Sequence, residues 1–427
     1  MAKARAEWPA RVERWRELAI LALVLAGAIA IPLIFRRDPQ DMFRLPKLIA
    51  LRGEAILIVF VTLASLILGA PIPRIQWRET WVMLPLVVLA IFVVITLTST
   101  NRQLSVSALA SATATAIVFF ATVSTARSRG WILAAAPLAS AAVNAILTIV
   151  EELKLWMPFG EHSDIPHHVQ CNALIGNPNE LGGYLGIAAL AAIAIVATRR
   201  RVAIAAPSIL VVALLFSQTL TAIIAFAAAL FSMMALSSWR HALRAAAIGA
   251  AAAMLLIALV TPFRVRATNT LHWIRDGQYN SIATERFTPF IAAWSMFTAH
   301  PLTGVGPGAF AWQYFDYKLA AERRFPALRE TFNRGVNYGE VHNDHLQSLA
   351  EGGAIGYTAF LGLIAVLGSI SFTRDASDPR FRFARQLALP LAIFCAVFSL
   401  AQFPMESTAV RSLLVHFAAL CVGWRRR

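Results

Sequence analysis

Long apolar runs separated by short polar breaks occupy most of the chain. A helix that crosses a bilayer needs about 20 mostly apolar residues. Twelve segments approach that length: 18–35, 48–69, 80–98, 105–125, 131–150, 179–198, 202–217, 221–238, 242–261, 353–372, 386–401 and 408–424. The seventh and eighth are separated only by Gln218-Thr219-Leu220, which fits either a hairpin or a single broken span. Two intervals interrupt the rhythm, a smaller loop at 151–178 and a larger one at 262–352. The pattern predicts an all-α, polytopic integral membrane protein: one membrane domain over 1–427 with about 12 transmembrane helices and a large, partly helical loop.

The larger loop has its own pattern. It holds Trp273, Phe287, Phe290, Trp294, Phe297, Phe310, Trp312 and Tyr314, too many aromatics for a solvated linker. Phe287, Phe290, Ile291, Trp294 and Phe297 recur at helical spacing, which predicts a helix over 284–299 lying on or under the membrane surface. Pro301-Leu302-Thr303-Gly304-Val305-Gly306-Pro307-Gly308 predicts a sharp turn, and 309–325 a second amphipathic helix. Close to the next span lies a dense polar cluster, His342-Asn343-Asp344-His345, with Glu351 beyond it. Ionisable groups at the rim of a lipid-embedded bundle are costly unless paired or wet, so a functional site is the default reading.

Composition fixes the solvent. Hydrophobic residues make up 58% of the chain and charged residues 14%, with a mean hydropathy of +0.63, so lipid must cover much of the surface. The net charge of +15 is scattered over alternate short loops instead of forming a basic stripe with aromatics, which argues against nucleic acid. Placing those loops in the cytoplasm puts both termini there. On the opposite side Arg36, Arg37, Arg44 and Lys47 break the rule, which suggests that they hold an anion. The charged amino terminus runs into its first apolar stretch with no convincing small-residue cleavage site, so it reads as an uncleaved span. Of three cysteines, Cys395 and Cys421 lie in spans and Cys171 in a loop, leaving no disulfide framework.

Several chemistries are absent from the pattern. The glycine turn lacks the Lys-Ser/Thr ending of a phosphate loop and follows no predicted strand. His342 and His345 are three apart, and Glu161, His162, Asp164, His167 and His168 form a second ligand-like group, but neither has the spacing of a helical zinc signature. No metal and no cofactor is expected. A secondary transporter would show internal repeats and mid-membrane ionisable residues, whereas the polar residues here gather in loops. A non-catalytic scaffold would leave the grouped polar motifs without a role.

Several separated motifs are similar to the O-antigen ligase and polymerase superfamily. Phe43-Arg44-Leu45-Pro46-Lys47 resembles the family's entry into the second span, and Gly176-Asn177-Pro178-Asn179-Glu180-Leu181-Gly182-Gly183 its mid-chain span start. Arg286 through Trp294, followed by His300 through Phe310, resembles the central loop, and His342 through Gly356 the carboxyl-terminal signature. The resemblance implies a glycosyltransferase of the bacterial inner membrane that moves a glycan from undecaprenyl diphosphate to an acceptor hydroxyl at the periplasmic face. The acceptor would be lipid A core, for a ligase, or a growing glycan or a protein. The implied reaction is a metal-independent, inverting single displacement, with the carrier's lipid tail between spans.

In that chemistry a guanidinium stabilises the diphosphate leaving group and an imidazole takes the hydroxyl proton. Arg286 and His342 are the residues assigned to those roles. Lys47, Asn177, Asn179, Arg264, Arg266, Asn343 and Glu351 are expected to bind diphosphate or glycan. Blander roles compete: Arg286 as an ion-pair or capping residue, His342 as a cap for the next span, and Asn-Pro-Asn as an ordinary turn and helix start. The chain departs from the family at Ser217-Gln218-Thr219-Leu220-Thr221, where leucine stands in place of an expected arginine.

Overall fold

The computed structural model describes residues 2–37, 41–72, 79–162, 169–199, 204–326, 328, 337–373 and 378–425. Its helices are α1 (Ala2–Ala30), α2 (Arg44–Ile67), α3 (Thr80–Leu97), α4 (Arg102–Glu152), α5 (Pro178–Thr198), α6 (Ala205–Phe216), α7 (Leu220–Ala235) and α8 (Trp239–Leu259). There follow α9 (Thr261–Arg275), α10 (Tyr279–Ile282), α11 (Phe287–Ala299), α12 (Phe310–Arg324), α13 (Asp344–Ser369), α14 (Pro379–Phe398) and α15 (Thr408–Trp424). One antiparallel pair of two-residue strands, Glu161–His162 with Val169–Gln170, sits in the smaller loop.

Among the described residues seven helical stretches are long and apolar enough to cross a membrane, and α6, α7 and α15 are shorter apolar helices. This is an all-α polytopic membrane protein. Apolar side chains point outward along α2, where Ile56 is 68% and Ile67 86% exposed, a surface that only lipid can cover without loss. The centre is occupied by α5, whose small residues let neighbours approach: Gly182 lies against Thr219, Gly183 against Phe398 and Gly186 against Phe394.

The backbone of α4 runs as one element through two spans, Arg102–Ala126 and Gly130–Glu152. Near its start, Ser107 and Ser111 accept from Arg52 of α2. Near its end, Asn144 accepts from the Leu174 amide, whose carbonyl takes a hydrogen bond from Lys47 of the same α2. A straight helix rises about 1.5 Å per residue and would hold Ser107 and Asn144 some 50 Å apart. The two halves therefore double back.

The break between α6 and α7 is a sharp turn with Gln218 at φ 48°, and the Thr219 hydroxyl fastens it to the Pro178 carbonyl at the start of α5. In the larger loop, α11 and α12 fall within the two intervals that the apolar spacing marked. They enclose a small core of Ala292, Met296, Val305, Phe310, Tyr314, Val341 and Ala350. The turn between them lies directly on α13. At Gly353 the helix breaks with φ 59°, and a Cβ there would stand 2.3 Å from the Leu302 carbonyl carbon; Gly304, at φ 64°, meets the Glu351 backbone in the same way. The apolar pattern started its span at residue 353, whereas the helix begins at Asp344 and breaks at Gly353.

Candidate active site

Polar side chains converge where α2, α5, α11 and α13 begin, against the α14–α15 loop, residues 399–407. Much of what that loop offers is backbone. Ala401 O accepts from Arg286 Nη1 at 3.0 Å, and Leu400 O from Asn343 Nδ2 at 2.8 Å. Ser399 O and Gln402 O accept from the Asp344 amide at 3.0 and 3.2 Å. Met405 N–H donates to the buried Asp344 carboxylate at 2.9 Å, and the Ser407 hydroxyl hydrogen-bonds Glu180.

His342 and Arg286 meet at this loop. Backbone strain sets up both: Thr284 and Glu285 take φ 51° and 58° immediately before Arg286, and His342 itself takes φ 59°. Left-handed conformations of this kind cost about 1–3 kcal/mol each and persist only where the surroundings hold them. The His342 ring packs edge-on against Phe403, with centroids 4.6 Å apart, and against Tyr338 at 5.6 Å. Its Nδ1 is buried without a hydrogen-bond partner. Burial, then the charges of Arg286 and Arg44, lower its pKa to about 3, so the ring is neutral at pH 7. Burial also lowers the pKa of Arg286, against the opposing influence of Tyr338.

Arg44, one of the four basic residues of its loop expected to hold an anion, completes the group. Its guanidinium bonds Glu180 Oε1 through Nε at 2.8 Å and Nη2 at 2.6 Å, and Glu340 Oε1 through Nη1 at 2.6 Å. It also sits 5.0 Å from the centroid of the Phe403 ring. The 399–407 loop had no place in the sequence reading. The break Gln402-Phe403-Pro404-Met405-Glu406-Ser407, with its proline and its Gln, Glu and Ser set between two spans, is the signal that marks it.

Other expected ligands act as braces. Lys47 is buried, and its ammonium donates to three carbonyls, Ile34 at 2.9 Å, Phe43 at 3.2 Å and Leu174 at 2.8 Å, which uses its three N–H groups. Asn177 caps α5 by accepting from the Asn179 and Glu180 amides, and Asn343 caps α13 by accepting from Leu346. Glu351 is buried and accepts from Gly308 N–H at 2.9 Å and Phe310 N–H at 3.1 Å, fastening the glycine turn. In these contacts Lys47, Asn343, Glu351 and the side-chain oxygen of Asn177 satisfy backbone groups. Asn179 lies in the first turn of α5, its amide committed to that cap.

Arg266 donates to Gln218 O at 2.8 Å, so a guanidinium from α9 reaches the turn where the chain carries leucine instead of arginine. Arg264 donates to Ala258 O at 3.3 Å. His345 is separated from His342 in its contacts: its ring bonds Ala396 O and Tyr357 and packs on Phe360. Among the described residues no group of three or more His, Cys, Asp or Glu is arranged to hold a metal. Of the second ligand-like group, Asp164, His167 and His168 lie outside the described residues.

No curated protein matches the chain. Residues 205–361, which run from α6 through the loop helices into α13, match the family model described as O-antigen ligase. The match stops short of both Arg44 and the 399–407 loop. That segment is similar to the O-antigen ligase family and contains Arg286 through Trp294, His300 through Phe310 and His342 through Gly356, whereas the motifs at 43–47 and 176–183 lie outside it.

Proposed function

We propose that the protein is a glycosyltransferase that moves a glycan from undecaprenyl diphosphate to an acceptor hydroxyl, acting as an O-antigen ligase on lipid A core. The reading is carried by the nearness of a neutral imidazole, His342, to two guanidiniums, Arg286 and Arg44, over a loop shared by all three. His342 accepts the proton of the acceptor hydroxyl. That oxygen attacks the anomeric carbon, and the bond from this carbon to the diphosphate oxygen breaks with its electron pair leaving on the diphosphate. Arg286 stabilises the charge that develops there. A single displacement of this kind inverts the anomeric centre and uses no metal or cofactor.

In this reading twelve spans bring both termini to the cytoplasm of a bacterial inner membrane, and the site faces the periplasm. Reporter fusions at the termini and in the 262–352 loop test the orientation. The function is tested with purified protein, a defined undecaprenyl-diphosphate glycan, and lipid A core, growing glycan or a protein as acceptor. Arg286→Ala should slow transfer by about 10²–10³-fold and His342→Ala by about 10²–10⁴-fold. Full transfer by folded forms of both variants would overturn the assignment. Transfer to growing glycan or to protein, with none to lipid A core, would replace ligation by polymerisation or protein modification. Activity abolished by a chelator and restored by one particular ion would remove metal independence.

A further inference from the structure

We infer that Arg44 is a second phosphate-holding group of the site and that Glu340 is its exchangeable counter-ion, occupying the place of a phosphate-type oxyanion until one arrives. The inference rests on the proposed transferase reading for its biological sense, though not for its test. Arg44 carries two carboxylates of unequal standing. Glu180 is 6% exposed, takes two of the guanidinium's donors and is tied from behind by Ser407. That pair is fixed. Glu340 is 25% exposed and meets a single nitrogen, Nη1, through a single oxygen.

Placement gives the exchange a consequence. Glu340 stands two residues before His342, and Phe403 lies between the guanidinium and the imidazole, touching both. A planar guanidinium fork matches the oxygens of phosphate better than it matches one monodentate carboxylate oxygen. A diphosphate that displaces Glu340 therefore binds between Arg44 and Arg286, beside the ring that must take the proton. Glu180 stays, keeping Arg44 aimed. The positive charge that opposes protonation of His342 is then offset by the substrate, so the base gains strength as the leaving group is seated. A partly exposed ion pair made through one oxygen competes more weakly than the buried, two-donor pair with Glu180, which is what an exchangeable contact requires.

The shared chemistry has two possible sources, the carrier's diphosphate and a phosphate on the acceptor. The test uses the full chain in detergent, with inorganic diphosphate as the probe, measured by calorimetry on wild type, Glu340→Gln, Arg44→Gln and Arg44→Lys. Glu340→Gln should tighten diphosphate binding by about two- to fivefold, the equivalent of an exposed ion pair removed. Arg44→Gln should weaken it by about tenfold or more, and Arg44→Lys should restore it only in part, because an ammonium lacks the fork. Thermal melts identify any variant that fails to fold, and Glu340→Gln alone decides the matter if Arg44→Gln does.

Unchanged or weaker diphosphate binding by a folded Glu340→Gln would overturn the exchange. Wild-type binding by a folded Arg44→Gln would remove Arg44 as a ligand. In transfer assays on Glu340→Gln, a lowered KM for the lipid donor assigns the oxyanion to the carrier, and a lowered KM for the acceptor alone assigns it to an acceptor phosphate. Diphosphate binding that follows this pattern without any transfer would sink the proposed function and leave the exchange intact. Transfer with no change in binding would do the reverse.

Discussion

Glu351 separates a brace from a ligand more sharply than any other residue of the site. Its carboxylate holds two amides, those of the exposed Gly308 and the buried Phe310, at 2.9 and 3.1 Å. A buried donor left without a partner costs about 1–3 kcal/mol. Glu351→Gln keeps one acceptor oxygen and turns an NH₂ toward the other amide, so one bond is lost and the local cost is about 1–3 kcal/mol. Glu351→Ala loses both, at about 1–3 kcal/mol for the buried Phe310 amide and less for Gly308, which water reaches. In the Gln variant this favours local opening of the glycine turn by about 5–150-fold. Hydrogen–deuterium exchange of residues 304–310 reads that opening directly. The expected outcome is faster exchange confined to the turn and its α13 contact, with donor KM changed much less than kcat. Wild-type exchange at Gly308 and Phe310 together with a sharply raised donor KM would refute the bracing argument and return Glu351 to the substrate.

Two further outcomes follow from the same geometry. Gly353→Ala sets a Cβ 2.3 Å from the Leu302 carbonyl carbon in a left-handed conformation that itself costs about 1–2 kcal/mol, so thermal melting should fall and the folded yield with it; an unchanged melt would mean that the turn does not lie on α13 as described. His342, its pKa lowered to about 3 from an ordinary 6.5, is neutral in the folded protein, and a base works in its neutral form. The acid limb of kcat/KM should therefore fall below about pH 5, and it should move upward in Arg44→Gln as one repelling charge is removed. Because the unfolded chain protonates this ring below about 6.5 while the folded chain holds it neutral, its contribution to stability declines as pH drops through that value. An acid limb near pH 6.5 in wild type would contradict the electrostatics of the site.

Much of the fold was legible because lipid reads sequence coarsely: length and apolarity suffice to mark α2, α3, α5 and α14. The two loop helices were visible from the spacing of Phe287, Phe290, Trp294 and Phe297 and of the residues after Ala309. Roles were harder to read than places. Lys47, Asn177, Asn343 and Glu351 look like ligands in a sequence, because a buried polar residue beside a site has the same composition whether it holds a substrate or a carbonyl. What residues 399–401 contribute was hidden for a related reason. Ala401, Leu400 and Ser399 act through main-chain oxygens that every residue carries, so no side-chain pattern announces them. Arg266 illustrates the converse: it was one of several basic residues expected near a phosphate, and its hydrogen bond to Gln218 O is what sets it apart, placing its guanidinium at the α6–α7 turn.

That dependence on 399–407 has a temporal meaning. A ribosome that has delivered every residue through Glu351 to the insertion machinery has made Arg44, Arg286 and His342 but not the peptide carbonyls and the phenyl ring that align them. If the proposed function holds, the nascent chain therefore stays inert until the α14–α15 hairpin enters the lipid, and a message truncated just beyond residue 361 would yield a product bearing the whole matched segment without the loop that aligns Arg44, Arg286 and His342.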